Sequence, residues 1–420
     1  MADVRPFRAL RYSPNVDMAS AICPPFDVIS PHQQRLLHDR AHHNAVHIEL
    51  ADDSAGKRYR RAAAALARWR SDSVLQTDAS PGFYLYQQQF AHAGTAYSRR
   101  ALFALLRLEE WGRAVLPHEQ TFGGPKEDRL KLLRLIRLNT SPIFLIYRDR
   151  DASIVDRLRI ASTQRPTVEF SGDDGQRHTL HSLNSPDVTE ALRLAFESET
   201  LYIADGHHRY ETALAYRAQR RAEAAGWTGE EPENFVLVAL AQARDPGLLV
   251  LPIHRVTSAG IEPGEALAKM AGLFAISDHT DDLAQFEFVS AGAGQARSLA
   301  IADPRAVDAL LPQDRSAAWR SLDYAIANHV ILGHCLGLTD AQMSDYGALW
   351  FTEDSEKAVA DVQERRARYA VLMRPVPVER VLDIADSGER MPQKSTFFYP
   401  KLPTGLVFNS LESEPTIVPA

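Results

Sequence analysis

The sequence predicts a mixed α/β (α+β) fold, and three observations predict it. Short apolar runs that read as strands alternate along the chain with amphipathic stretches that read as helices. Of the 420 residues, 45% are hydrophobic, enough to fill two or three domains rather than one. No internal repeat or low-complexity stretch breaks the alternation, so the chain reads as globular throughout.

The elements follow in order. Pro24-Pro25 forces an extended path, and Ser30-Pro31 then supplies an N-cap followed by proline at the first helical position. Residues 57–70, rich in alanine and arginine, form an amphipathic helix. Phe83 to Phe90 and Tyr97 to Leu108 alternate like strands around Gly94 and predict a hairpin. Arg129 to Arg137 carries leucines at helical spacing, and 142–147 is a buried strand. Residues 149–200 are polar and read as an inserted, variable region. Leu201 to Ala204 is a short buried strand, a helix runs from near Tyr210 to Ala225, and 234–243 is a strand or buried helix. The strand 247–252 leads into Ile253-His254-Arg255. Two amphipathic segments and a strand near Ser298 make 256–320 a small α/β subdomain. Asp323 to Leu338 is a helix, and 354–368 precedes the strand Tyr369 to Met373. Four segments are expected: 1–110 with the hairpin, a core at 111–255 with an insertion at about 149–195, the subdomain 256–320, and 321–420 returning to the core.

Net charge is −7 with acids and bases interspersed, so no basic face suits a nucleic-acid duplex. The only cysteines, Cys23 and Cys335, have no metal-binding spacing and suit a reducing compartment. The N-terminus lacks a signal peptide's apolar core and no apolar run approaches membrane-spanning length, so a cytoplasmic protein is expected.

Three clusters can carry chemistry. The densest is Asp205-Gly206-His207-His208-Arg209, between an apolar strand and a helix. Glycine there lets backbone N–H groups approach a ligand, and the helix start favours negative charge. Arg209 can clamp a phosphate or carboxylate bidentately. The alternative is a polar turn with surface histidines. The second cluster is 116–129, where His118, Glu119, Lys126 and Arg129 surround a Gly123-Gly124-Pro125 turn. Phe122 stands where a zincin's second histidine would be, so this is no zincin motif. A capped surface loop explains Glu127 and Asp128 but explains His118-Glu119 poorly. The third is 391–405, where Lys394 and Lys401 flank Phe397-Phe398-Tyr399, read equally as a nucleotide-stacking segment or a core strand. His254 and Arg255 can join a site or cap a loop, and adjacent His207 and His208 point about 100° apart on a helix, too far to chelate one ion.

Six motifs in order carry a resemblance: PPFDVIS (24–30), HEQTFGGPKEDR (118–129), NTSPIFLIY (139–147), ADGHHRYETAL (204–214), LPIHR (251–255) and MPQKSTFFYPKLPTG (391–405). Over nearly the whole chain the sequence resembles the prokaryotic domain of unknown function 1015. Over about a quarter of it, HE followed by DGHHR is similar to free-serine kinases with the ParB/sulfiredoxin-like fold. That resemblance implies a nucleotide-binding core. Glu119 becomes the catalytic base on the substrate hydroxyl with His118 as helper, and Gly206, His207, His208 and Arg209 become the phosphate cradle. The long insertion at about 149–195 departs from the pattern, so the acceptor need not be serine.

The expected function is a kinase that transfers phosphate from ATP or ADP to a small hydroxylated metabolite, with serine among the candidates. Asp205 would hold Mg2+, Lys126, Arg129 and Lys394 would contact phosphate, and Thr121, His254 and Arg255 would contact substrate. Two alternatives stay open: a nucleotide-binding switch with no small acceptor, and a metal-dependent hydrolase using His118, His207 and His254.

Overall fold

The computed structural model describes residues 1–53, 56–119, 124–279, 284–292 and 296–412. It is mixed α/β and divides into two compact units, one of residues 1–117, 121–249 and 400–420, the other of residues 118–120 and 250–399.

The first unit is built on a sheet of nine strands among the described residues. Its path runs Val115–Pro117, Leu201–Asp205, Ile143–Tyr147, Phe235–Gln242, Thr95–Arg107, Phe83–His92, Arg177–Leu183 and Val168–Ser171, with Val4–Arg5 also on Thr95–Arg107. Two pairings are parallel, Leu201–Asp205 with Val115–Pro117 and Phe235–Gln242 with Ile143–Tyr147; the other pairings are antiparallel. The predicted hairpin is present, turning through Ala93 (φ 47°) and Gly94 (φ 77°). Two consecutive positive φ angles give a turn whose twist matches that of the strands, which is why glycine sits there. Ile143–Tyr147 and Phe235–Gln242 are apolar at almost every position because both faces are covered. Ser30 caps the helix Pro31–Arg40 through a reciprocal bond with Gln33, as the Ser-Pro signal predicts.

The polar region 149–200 carries regular elements. It folds as the helix Ser153–Ala161, a strand pair and the helix Pro186–Glu197, and Arg177–Leu183 pairs along Phe83–His92 with Leu180 opposite Tyr86. Its polarity reflects a sheet edge, where alternate side chains face water. The helices still bury Ile154, Leu158, Leu192 and Phe196 in the main core.

Among the described residues, the second unit holds an antiparallel six-stranded sheet in the order Phe274–Ser277, Arg297–Ile301, Phe286–Ser290, Tyr369–Leu372, His254–Thr257 and Leu349–Thr352. Its core gathers Met270, Phe274, Trp319, Tyr324, Ile331 and Tyr369. The expected helix over 323–338 changes winding within its length: Asp323–Ile326 is α-helical, whereas Ala327–Cys335 is a π-helix in which Leu336 N–H reaches back to Ile331 O. Apolar spacing alone does not distinguish these windings.

Candidate functional site

The strand Leu201–Asp205 is buried up to Ala204 and emerges at Asp205, where its register against Ile143–Tyr147 shifts. Gly206 follows with φ 95° and ψ 25°, and the helix His207–Glu223 begins at once. The helix thus starts three residues earlier than the apolar pattern predicts, because the left-handed Gly206 turns the strand directly into the helix. His207, His208 and Arg209 therefore occupy the first helical turn, where an α-helix leaves N–H groups without intrahelical partners.

Arg209 folds back over the glycine. A Cβ on Gly206 would lie 3.0 Å from Arg209 Nε and 3.1 Å from Cζ. Arg209 Nη1 donates to the Pro142 carbonyl and Nη2 to Asp205 Oδ2 at 3.1 Å. Lys401 Nζ lies 3.5 Å from Asp205 Oδ1, so two cations bracket one carboxylate at the strand's end. The cluster is largely shielded, with the side chains of Arg209, Lys401 and Asp205 only 13%, 15% and 22% exposed. Lys401 belongs to the third sequence cluster, but the strand reading gave no register with which to choose between it and Lys394.

The helix Gly124–Ile136 brings two further expected residues beside the signature helix. Lys126 Nζ pairs with Glu211 at 3.2 Å and stays more than a third exposed. Arg129 is buried and fully engaged: Nη1 donates to Glu49 O at 2.9 Å, Nε to Asp128 at 2.9 Å, and its guanidinium stacks 4.1 Å from the Phe26 ring centroid. That arrangement makes Arg129 an anchor for the N-terminal segments instead of the expected free phosphate ligand. His207 is buried and His208 half-buried.

A pocket of about 50 Å³ lies alongside, lined from the signature helix by Arg209, Thr212 and Ala213 and from elsewhere by Glu49, Arg129 and Ser141. Glu49 is 1% exposed, and its Oε1 accepts from Ser141 Oγ at 2.9 Å. Ser141 Oγ also bonds Thr404 Oγ1 at 2.7 Å. The sequence reading missed Glu49, although an acid between Ile48 and Leu50 in an apolar run was the signal available.

In the second unit, His118 and Glu119 are tied to the segment 391–396. Met391 N–H donates to His118 O at 2.7 Å, Lys394 N–H donates to Glu119 Oε1 at 3.0 Å, and His118 Nε2 shares a hydrogen bond with Thr396 Oγ1 at 2.9 Å. His118 Nε2 also stands 4.0 Å from Glu119 Oε2. Lys394 is exposed with φ 55°, while Phe398 is 1% exposed and the run Phe397–Tyr399 is a strand, so the core reading of those aromatics holds for Phe398. His254 and Arg255 are both buried, and neither is placed as an open substrate contact. Met373 N–H donates to His254 Nδ1 at 2.9 Å. Arg255 directs donors to the carbonyls of Ile253 and Lys394 at 2.6 and 3.0 Å and stacks on Tyr324. Burial lowers the Arg255 pKa to about 10 and the His254 pKa to about 4. Thr121 lies outside the described residues.

Among the described residues no three His, Cys, Asp or Glu side chains gather as a metal site. Asp205 does not fit a protein-held Mg2+ either, since each of its oxygens faces a cation. Among the described residues no helix is long and apolar enough to cross a membrane.

Comparison with curated proteins finds no match. Three solved structures similar to this chain are a conserved hypothetical protein from Pyrococcus furiosus, a free serine kinase in complex with AMP, and C-terminally truncated SbnI from Staphylococcus aureus. The first is 12% identical with a TM-score of 0.36, covering 73% of this chain and 94% of its own. The kinase is 11% identical with a TM-score of 0.35, covering 72% and 92%. SbnI is 9% identical with a TM-score of 0.37, covering 74% and 90%. A family model matches residues 4–325, more than half of the sequence, and the chain belongs to the family described as Protein of unknown function (DUF1015).

Proposed function

We propose that the protein is a nucleotide-dependent kinase that phosphorylates the hydroxyl of a small metabolite. The carrying observation is the Gly206 turn, where a strand end, a positive-φ glycine, a helix N-terminus, Arg209 and Lys401 converge within the first unit. Phosphoryl transfer asks chiefly for positioning and charge neutralisation, and this turn supplies both. Helix N–H groups and the dipole favour phosphate oxygens, and a phosphate would compete with Asp205 for the two cations already gathered there. Any Mg2+ would accompany the nucleotide's own phosphates, so no step is assigned to a metal held by the chain. Glu119 is the proposed base: its Oε1 is fixed by the Lys394 N–H, and Oε2 is the oxygen assigned to the acceptor proton.

The test is thermal unfolding with ADP and ATP, each with Mg2+, for the wild type and Arg209→Ala. Stabilisation should follow nucleotide concentration, reaching about 2.7 kcal/mol at a hundred times Kd. Arg209→Ala should remove most of it. No shift at millimolar nucleotide overturns the reading. Binding and hydrolysis without phosphorylation of any acceptor would favour a nucleotide switch instead.

A further inference from the structure

The pocket beside the signature helix contains a chemical imbalance that the phosphate-binding turn does not explain. Glu49 is 1% exposed, yet its Oε2 is buried and makes no hydrogen bond among the described residues. The other oxygen is well served, accepting from Ser141 Oγ at 2.9 Å with Arg129 Nη1 3.9 Å away. A buried carboxylate oxygen left open is costly, because it has lost water and gained no donor. Arg129 does not fill that role, since its donors go to the Glu49 carbonyl and to Asp128. Arg209, across the same pocket, is committed to Pro142 O and Asp205.

The remaining walls are mostly aliphatic, Leu132, Leu133, Ile136 and Val236 among them. A neutral donor brings such a space only a hydrogen bond. A protonated amine adds a charge at hydrogen-bond distance, which Arg129, 3.9 Å from Oε1 and paired with Asp128, does not supply. The volume, about 50 Å³, admits roughly three to five water-sized groups, the size of a small amino compound.

We propose that Glu49 receives the ammonium group of a small hydroxylated amine bound in this pocket. Its Oε2 takes the N–H donor, Ser141 orients the carboxylate through Oε1, and Thr212 and Arg209 bound the pocket on the signature helix. The proposal rests on the kinase reading in one respect only, that this amine is the phosphate acceptor. It deepens that reading by giving the acceptor a positive charge.

Calorimetric titration of the full chain without nucleotide tests it. The probes are ethanolamine and L-serine against their amine-free counterparts, ethylene glycol and glycerate. The amines should bind at least about tenfold tighter than the counterparts, and Glu49→Gln should weaken them about 10- to 100-fold, the scale of a lost charged hydrogen bond. Tighter binding of L-serine than of ethanolamine, with glycerate still weak, supports the proposal. Equal affinity for amines and counterparts, or no binding of either amine, overturns it and leaves the pocket to water. If Glu49→Gln fails to fold, Ser141→Ala should weaken the amines several-fold and leave ethylene glycol unchanged; unaltered amine affinity in that variant also overturns it. Amine binding in a protein that binds no nucleotide would keep this site and discard the kinase reading. Nucleotide binding without amine selectivity would do the reverse.

Discussion

Arg209 and Glu119 illustrate how differently two polar side chains can be held. Arg209 sits in a shielded niche with one nitrogen on a carbonyl and another on Asp205. Its geometry is fixed without a ligand, so an anion that took the place of Asp205 would cost it little side-chain entropy. Glu119 is fixed at Oε1 by the backbone N–H of Lys394, with His118 Nε2 4.0 Å from Oε2, and its side chain is 19% exposed. A carboxylate held at one oxygen, with an imidazole beside the other, suits general-base work. Glu119→Gln keeps the shape and can still accept from Lys394 N–H through its amide oxygen, but it removes the basic group. Phosphorylation of the acceptor should then fall by about 10² or more, while the nucleotide-induced thermal shift is retained. Steady-state turnover and thermal unfolding on the same protein check both halves. Unchanged turnover would make Glu119 a clamp for the 391–396 segment and nothing more.

At the scale of the element, the strand–glycine–helix unit was legible in the sequence in outline and not in detail. The apolar run ending at Ala204 and the glycine marked the turn, and both stand where expected. The helix start was misplaced because His207, His208 and Arg209 carry no apolar periodicity, and position in a first turn is set by the Gly206 backbone. The partners of Asp205 were not legible: Arg209, four residues on, reaches it because the Gly206 turn folds the first helical turn back on the strand end, whereas Lys401 arrives from 196 positions along the chain and leaves no local trace. Gly206→Ala tests the element directly. At φ 95° an L-residue is strained by about 1–2 kcal/mol, and the new Cβ would press on the Arg209 guanidinium. The melting temperature should drop by several degrees and the nucleotide-induced shift should shrink with it, because Arg209 must leave its niche. A Gly206→Ala protein with both properties intact would show that the guanidinium's place over the glycine is irrelevant to binding.

For the whole molecule, alternation of helix and strand was enough to give the mixed α/β class and most element positions, since those depend on local periodicity. Which strands neighbour one another was not legible. The edge pairing of Arg177–Leu183 with Phe83–His92 and the fate of buried polar residues such as Glu49, Arg129 and Arg255 are decided by long-range packing. Buried ionisable groups also set how the fold responds to acid, and His254 gives the clearest case. Burial, helped by the neighbouring Arg255 charge and opposed by Asp354, lowers its pKa from 6.5 to about 4. Its Nδ1 accepts the Met373 N–H, so protonation there would set two donors against each other. The native state thus keeps the ring neutral while the unfolded chain takes up a proton below about 6.5. Stability from this group is fully present above pH 6.5 and is lost as pH falls through about 4, amounting to about 3 kcal/mol across the window. Hydrogen exchange of the strand His254–Thr257, read between pH 7 and pH 4 and corrected for intrinsic exchange, should show protection falling over that interval. His254→Gln does not titrate and carries an amide oxygen as a replacement acceptor for Met373 N–H. It should therefore flatten the pH dependence while costing some stability at neutral pH. An equally steep decline in His254→Gln would assign the acid response to other buried histidines, of which His178 and His181 in the first unit are next in line, the pKa of each likewise lowered by burial.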